Sequence, residues 1–188
     1  MNSMVQAGSM GVPFVAVRGL MGTDILKNRP DLQVITDPFH PEEKVVVAQP
    51  IRPDVAVFHA LKADRWGNTL TPGLRDDLMM ARAARRVVVT AEEIRDKELT
   101  IRDGVDNTFL PAIDVDVVVH VPWGAHPCAC GLLYNLDDAH LREYIEAAQE
   151  EKKFKNYLER YVGGVKNHQE YLQRVGVMNP LRAEKINV

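Results

Sequence analysis

Apolar positions along the chain gather into short valine-rich runs: Val12-Pro13-Phe14-Val15-Ala16-Val17, Val45-Val46-Val47-Ala48, Val55-Ala56-Val57-Phe58, Val87-Val88-Val89-Thr90 and Val115-Asp116-Val117-Val118-Val119-His120-Val121. They are nearly continuous rather than alternating, which is the pattern of strands buried on both faces of a sheet that helices cover. Pro13 places the start of the first strand at Pro13 or just before it. Gly19 and Gly22 follow that strand and suit a tight turn.

Between two of these runs, Asp76 to Arg85 carries acids at its front, arginines at its rear and strong helix formers throughout. This charge order complements the helix dipole and predicts a crossover helix with a very short exit into Val87. From Asp137 the pattern becomes helical and amphipathic, with Phe154, Tyr157, Leu158 and Tyr161 forming a stripe expected to dock on the sheet. Gly163-Gly164 stops that helix, a last one runs from Asn167 to Arg174, and the tail from Gly176 reads as frayed. Met1 to Met10 reads as the last turns of a helix ending at Gly8 or Gly11 with no strand ahead of it. Such a start leaves an apolar sheet edge or surface that either a partner covers or a fuller chain would. The expected architecture is α/β: an open, mostly parallel sheet with flanking helices over residues 1–136, and a C-terminal helical extension over residues 137–188 packed on the same domain.

The 188 residues are enough for one sizeable core. A formal net charge of -3 supplies no basic field for nucleic acid or an anionic membrane, so small molecules or other subunits are the expected partners. No apolar stretch approaches a membrane span and no leader pattern opens the chain, which points to the cytoplasm. Cys128 and Cys130 are too close together in an extended loop to bridge easily and read as free thiols in a reducing compartment.

Candidate chemistry concentrates in Pro50 to Asn68, where a short strand delivers His59, Lys62, Asp64 and Arg65 ahead of Gly67-Asn68. A lysine or arginine there could pair with a carboxylate or phosphate, while Asp64 and Arg65 could equally fix a structural turn. Arg18 and Thr23-Asp24 hold the corresponding place after the first strand, with Gly19 and Gly22 permitting close backbone approach. Glu92 and Glu93 follow a strand; general acid or base work is conceivable, but a helix or turn start is the preferred reading. His120, His126, Cys128 and Cys130 offer zinc-type ligands, yet Cys-x-Cys lacks the usual spacing and has no second compact pair, so no metal site is expected. His120 reads as a strand-end histidine with a satisfied hydrogen bond. Trp123 and Phe39 read equally as core or interface anchors and as substrate stackers.

Several blocks in order carry a family resemblance. Gly11-Val12-Pro13-Phe14-Val15-Ala16-Val17-Arg18-Gly19-Leu20-Met21-Gly22-Thr23-Asp24, Asp37-Pro38-Phe39, Pro50 to Asn68, Arg86 to Ile94 and His120-Val121-Pro122-Trp123-Gly124-Ala125-His126-Pro127 resemble successive segments of family I coenzyme A transferase α subunits of the glutaconate type. The resemblance covers most of residues 11 to 175. It implies an open α/β sheet and an active site formed between two related subunits. It also implies covalent catalysis in which a glutamate carboxylate attacks an acyl-CoA thioester. In the glutaconate type that glutamate belongs to the β subunit, so no catalytic residue is expected here and a β-type partner in a hetero-oligomer is. Family α subunits also carry an N-terminal strand, a glycine-rich turn and a helix ahead of the matching region, which puts independent activity in doubt. Relatives on the same frame decarboxylate diacid thioesters or hydrolyse carbocyclic CoA intermediates, and a catalytically silent CoA-ester-binding or structural subunit is a further alternative. The expected binding residues are Arg18, Gly22, Thr23, His59, Lys62, Arg65 and Asn68. Coenzyme A enters as a thioester substrate with a carboxylic acid acceptor, and no permanently bound cofactor is expected.

Overall fold

A computed structural model describes residues 2–73, 75–131 and 133–177. The chain opens with α1 (Asn2–Met10), followed by β1 (Val15–Val17), α2 (Ile25–Asn28), β2 (Leu32–Thr36) and β3 (Lys44–Ala48). β3 pairs antiparallel with β1 on one side and β2 on the other, making a three-stranded sheet. Met4 of α1 packs with Leu32, Val46 and Ala48 on its inner face. The first strand starts at Val15, two residues later than Pro13 suggested, because Pro13 and Phe14 are exposed and outside the ladder.

The main sheet is built from β4 (Ala56–Asp64), β5 (Thr69–Thr71), β6 (Val87–Arg95), β7 (Thr108–Leu110) and β8 (Val117–His120) in the order β7-β5-β4-β6-β8. β4, β6 and β8 run parallel, while β5 and β7 form an antiparallel edge. The main sheet is thus mixed, with two of its four pairings parallel where a mostly parallel sheet was expected, and the α/β sheet with flanking helices is present. Helix α3 (Asp77–Ala83) makes the crossover into β6. It lies on Ala56, Phe58, Ala60, Val87, Val89 and Ala91 through Leu78, Met80 and Ala81. Alanines on both sides let helix and sheet approach closely. α1 packs on α3 in turn, at a contact where Gly8 leaves no room for a Cβ: one built there would fall 2.1 Å from the Ile51 carbonyl oxygen.

The opposite face departs from the expectation of burial on both sides. Val57, Val117 and Val119 are 66%, 47% and 43% exposed, and Val55 just ahead of β4 is exposed too. β5 pairs with β4 only at Lys62 and Ala63, so the Val57–His59 stretch borders a hollow of about 500 Å³ lined in part by Pro72, Arg75, Met80 and Ala129. No helix of the described residues is long and apolar enough to cross a membrane.

Helices α4 (Asp138–Ala148), α5 (Glu151–Leu158) and α6 (His168–Val175) follow, with a π-helical turn over Glu159–Gly163. Asp137 caps α4 by accepting the His140 N–H, and Asn167 caps α6 by accepting the Glu170 N–H. Tyr157 and Tyr161 join a second core with Cys130, Tyr134, Leu172 and Val175, to which Leu61 of β4 and Trp123 contribute. The tyrosines of the stripe therefore pack in a core shared by the loop 121–137, α6 and Leu61 of the sheet, while Phe154 packs against Tyr144 and Tyr157. The rest of the expected frayed tail, residues 178–188, lies outside the described residues.

Candidate functional site

Two carboxylates stand in the carboxyl-terminal halves of adjacent parallel strands, toward the edge where ligand crevices of open α/β sheets usually lie. Asp64 ends β4 and is buried. Its Oδ1 accepts the main-chain N–H groups of Trp66, Gly67 and Asn68, each at 2.9 Å, and its Oδ2 accepts the Asn68 side-chain amide and the Leu99 N–H at 2.8 Å. Burial alone would raise this carboxyl. Donation from Leu99, Asn68 and Trp66 outweighs it and holds the group below its ordinary value. Asp64 and Asn68 thus use their side-chain polar atoms on the turn and on the segments packed against it, with Asn68 Oδ1 accepting the Ala112 N–H at 2.9 Å.

Glu92 sits within β6, which continues through Arg95. The preferred reading of Glu92 and Glu93 as a helix or turn start is therefore corrected. The alternation after Val87 simply carries on, placing Thr90 and Glu92 on the face opposite Val89 and Ala91. His59 likewise lies inside β4 rather than after it, directly across from Thr90 in the parallel register. Its Nε2 is 2.6 Å from Glu92 Oε1 and its Nδ1 is 2.8 Å from Thr90 Oγ1. An ionised carboxylate only accepts, so Nε2 carries the proton and the Thr90 hydroxyl serves Nδ1. The Trp123 N–H donates to Glu92 Oε2 at 2.6 Å, and the Tyr134 hydroxyl donates to Oε1. Burial pushes Glu92 up, but donors on His59, Tyr134 and Trp123 overcome it, leaving the carboxyl below its ordinary value. Burial pushes the Tyr134 hydroxyl up, and its bond to Glu92 adds to the rise.

The cluster is closed by unusual backbone. Trp123 has a positive φ of 60°, and its ring stacks on Tyr134 with centroids 4.3 Å apart. A Cβ at Gly124 would meet His59 Cε1 at 2.6 Å and the Val121 carbonyl oxygen at 2.8 Å, so only glycine lets the loop press on the imidazole. Cys130 is buried beside this group, and burial together with the Glu92 charge pushes its thiol up to about 11. Among the described residues, His59, Glu92 and Cys130 form a group that could hold a metal ion, with ligand atoms within 4.8 Å of one another. Their present chemistry is hydrogen bonding: His59 Nε2–H donates to the Glu92 carboxylate, and Cys130 is a thiol rather than a thiolate.

The residues singled out in the sequence as zinc-type ligands are dispersed. Cys128 is exposed, His120 reaches the Glu92 carbonyl oxygen at 3.2 Å, and His126 joins Asp137 and Tyr171. The expected binding residues also fall into separate places. Arg18, Gly22 and Thr23 form an exposed turn after β1, where Thr23 Oγ1 donates to the Leu20 carbonyl at 2.7 Å. Lys62 is within β4, 3.9 Å from Glu93, and Arg65 is exposed near the Trp66 ring beside a cavity of about 420 Å³ that His120 also lines. Only His59 belongs to the Glu92 cluster. Thr90, Trp123 and Tyr134 were not anticipated in it.

Comparison with known proteins places this chain in a family. A profile described as "Coenzyme A transferase" matches residues 1–120. The chain is 34% identical over 175 residues to the α subunit of the 3-oxoadipate CoA-transferase of Pseudomonas knackmussii, covering 93% of this chain and 60% of that one. It is 33% identical over 189 residues to the α subunit of the glutaconate CoA-transferase of Acidaminococcus fermentans, covering 92% and 59%. The crystal structure of the latter enzyme superposes with a TM-score of 0.85 at 31% identity over 99% of this chain and 62% of that chain. The decarboxylase AibA/AibB superposes with a TM-score of 0.68 at 34% identity, covering 84% of this chain and 58% of that one. The chain spans 38% to 60% of the length of the first three curated relatives it matches. With ordered blocks, sheet and relatives agreeing, the chain belongs to the coenzyme A transferase family.

Proposed function

We propose that this chain is the α-subunit part of a heteromeric enzyme that moves coenzyme A from an acyl-CoA to a carboxylic acid, with the nucleophilic glutamate on a β-type partner. The observation that carries this reading is the engagement of Glu92, which accepts hydrogen bonds from His59, Tyr134 and Trp123. A carboxylate so occupied anchors side chains and is a poor attacking group, consistent with a nucleophile supplied from elsewhere. In the proposed reaction the partner's carboxylate oxygen adds to the thioester carbonyl and the C–S bond breaks, leaving CoA thiolate and a mixed anhydride. The thiolate then attacks the glutamyl carbonyl, releasing the first carboxylate and forming the glutamyl-CoA thioester. The acceptor acid reverses these steps. The CoA thioester is substrate, not a resident cofactor.

Arg18, Lys62 and Arg65 are the proposed contacts for CoA phosphates or a substrate carboxylate, being cations on turns or strand ends. Gly22 and Thr23 would let backbone approach the ligand beside Arg18, while Asn68 would shape the turn that presents Arg65. His59, bordering the 500 Å³ hollow, would face the acyl group. The free thiols Cys128 and Cys130 support a cytoplasmic setting.

The test is co-expression with a β-type partner, followed by assay of acyl-CoA with and without an acceptor acid. Acceptor-dependent appearance of a new CoA thioester is the expected result. Acceptor-independent release of free CoA would replace the transferase reading by hydrolysis, and release of carbon dioxide by decarboxylation, the latter being the chemistry in the name of AibA/AibB. A stable complex without turnover would leave a silent binding subunit.

A further inference from the structure

We propose that helix α6 positions the Glu92 cluster from a distance, by pinning both flanks of the strained residue Trp123. A bulky residue at positive φ is an outlier that persists only where its surroundings over-determine it. Trp123 is bracketed by two such restraints from one helix. On its N-terminal side, His168 Nε2–H donates to the Pro122 carbonyl oxygen at 2.7 Å. On its C-terminal side, the Tyr171 hydroxyl lies 2.7 Å from His126 Nδ1, and the other ring nitrogen of His126 is 3.2 Å from Asp137 Oδ2. Between these anchors the chain turns tightly, with Gly124 N–H on Val121 and His126 N–H on Trp123, each at 3.1 Å. Ala125 N–H donates to the Tyr134 hydroxyl at 3.0 Å, which ties the same turn to the second donor of Glu92.

Helix α6 is equipped to act as a fixed post. It has its own side-chain cap at Asn167, an internal Arg174–Glu170 ion pair and a left-handed glycine end at Gly176, and it buries Leu172 and Val175 in the second core. Force passes from α6 to Pro122 and His126, from there to the Trp123 N–H, and through Glu92 to His59. His168 and Tyr171 are positioning residues: they touch neither Glu92 nor His59 and act through the turn between them. The inference goes beyond the transferase reading, because it concerns the shape of the cluster and its readout needs no substrate.

The experiment is site-resolved amide hydrogen exchange on the full chain, with Trp123 fluorescence read in a Trp66→Phe background so that one indole reports. In Tyr171→Phe, which keeps the ring and removes the hydroxyl, the Trp123 amide should exchange about tenfold faster, as expected for one lost hydrogen bond. The amides of Val87, Val89 and Ala91 should not change, and Trp123 emission should shift to the red as its stack on Tyr134 loosens. His168→Ala should do the same and His168→Gln, which retains an N–H donor, should restore protection; this pair carries the test if Tyr171→Phe does not fold. Uniform acceleration across sheet and loop would overturn the proposal, reducing α6 to general stability. Faster exchange in α6 with an unchanged Trp123 amide would overturn it as well.

Discussion

Asp64 and Glu92 are carboxylates near the ends of adjacent parallel strands, and both are held below their ordinary values against the effect of burial. They differ in where their donors come from. Asp64 is served by residues two to four positions downstream, plus Leu99 from across the fold. Glu92 is served by groups 33, 31 and 42 positions away, on β4 and on the loop 121–137. A carboxylate satisfied by its own turn builds local structure. One satisfied by three donors from two distant segments is a convergence point, and both segments contribute residues to the lining of the hollow. The difference separates a structural acid from a site-forming one although both carboxyls are shifted in the same direction.

The largest effect is expected at Asp64. Asp64→Asn turns an amide NH₂ toward a nest of N–H donors and should cost roughly 3–5 kcal/mol, read by denaturant unfolding. The damage should spread through the 64–68 turn and the Leu99 contact. Glu92→Gln comes next, at roughly 2–4 kcal/mol, because three donors converge where only one amide oxygen remains. Its pH dependence has a definite sign. A depressed carboxyl contributes stability above its unfolded value and loses it as pH falls through the folded value, so the gap between wild type and Glu92→Gln should narrow as pH drops below about 4.5. A gap that widens in acid would contradict the assigned direction. Gly124→Ala should follow, at roughly 1–3 kcal/mol, since the new methyl must displace His59 or the Val121 carbonyl; proton NMR of the His59 ring would register the displacement. Arg18→Ala lies outside both carboxylate clusters and should leave the unfolding free energy within about 0.5 kcal/mol of wild type. In the assembled heteromer it should weaken CoA ester binding, and unchanged kinetics would remove Arg18 from the proposed contacts.

The contrast also explains what was legible in the sequence. The Asp64 turn can be read from Asp-Arg-Trp-Gly-Asn, because its donors are neighbours along the chain. The crossover helix and the capped last helix were legible for the same reason, being set by local charge order and cap residues. Glu92 was visible as a residue and misread as the start of a turn, since the valine run gives way to a pair of acids soon after Thr90. The polar–apolar–polar order Thr90-Ala91-Glu92 was the available signal, with Thr90 and Glu92 on one face. Nothing along the chain places Tyr134 or the Trp123 N–H on that face; these contacts depend on how the loop 121–137 folds back under α6. The bare valines were missed for a related reason. Val57, Val117 and Val119 have the composition of doubly buried strands, and composition alone does not say which face a covering element reaches.

If Glu92 anchors the site while the nucleophile belongs to another chain, the covalent intermediate must form on that other chain. Acyl-CoA added to the co-expressed heteromer, followed by hydroxylamine, converts a glutamyl-CoA thioester to a stable hydroxamate that peptide mass spectrometry can locate. The hydroxamate should appear on a glutamate of the partner chain, with Glu92 unmodified. A hydroxamate at Glu92, or at any other carboxylate of this chain, would contradict that division of roles.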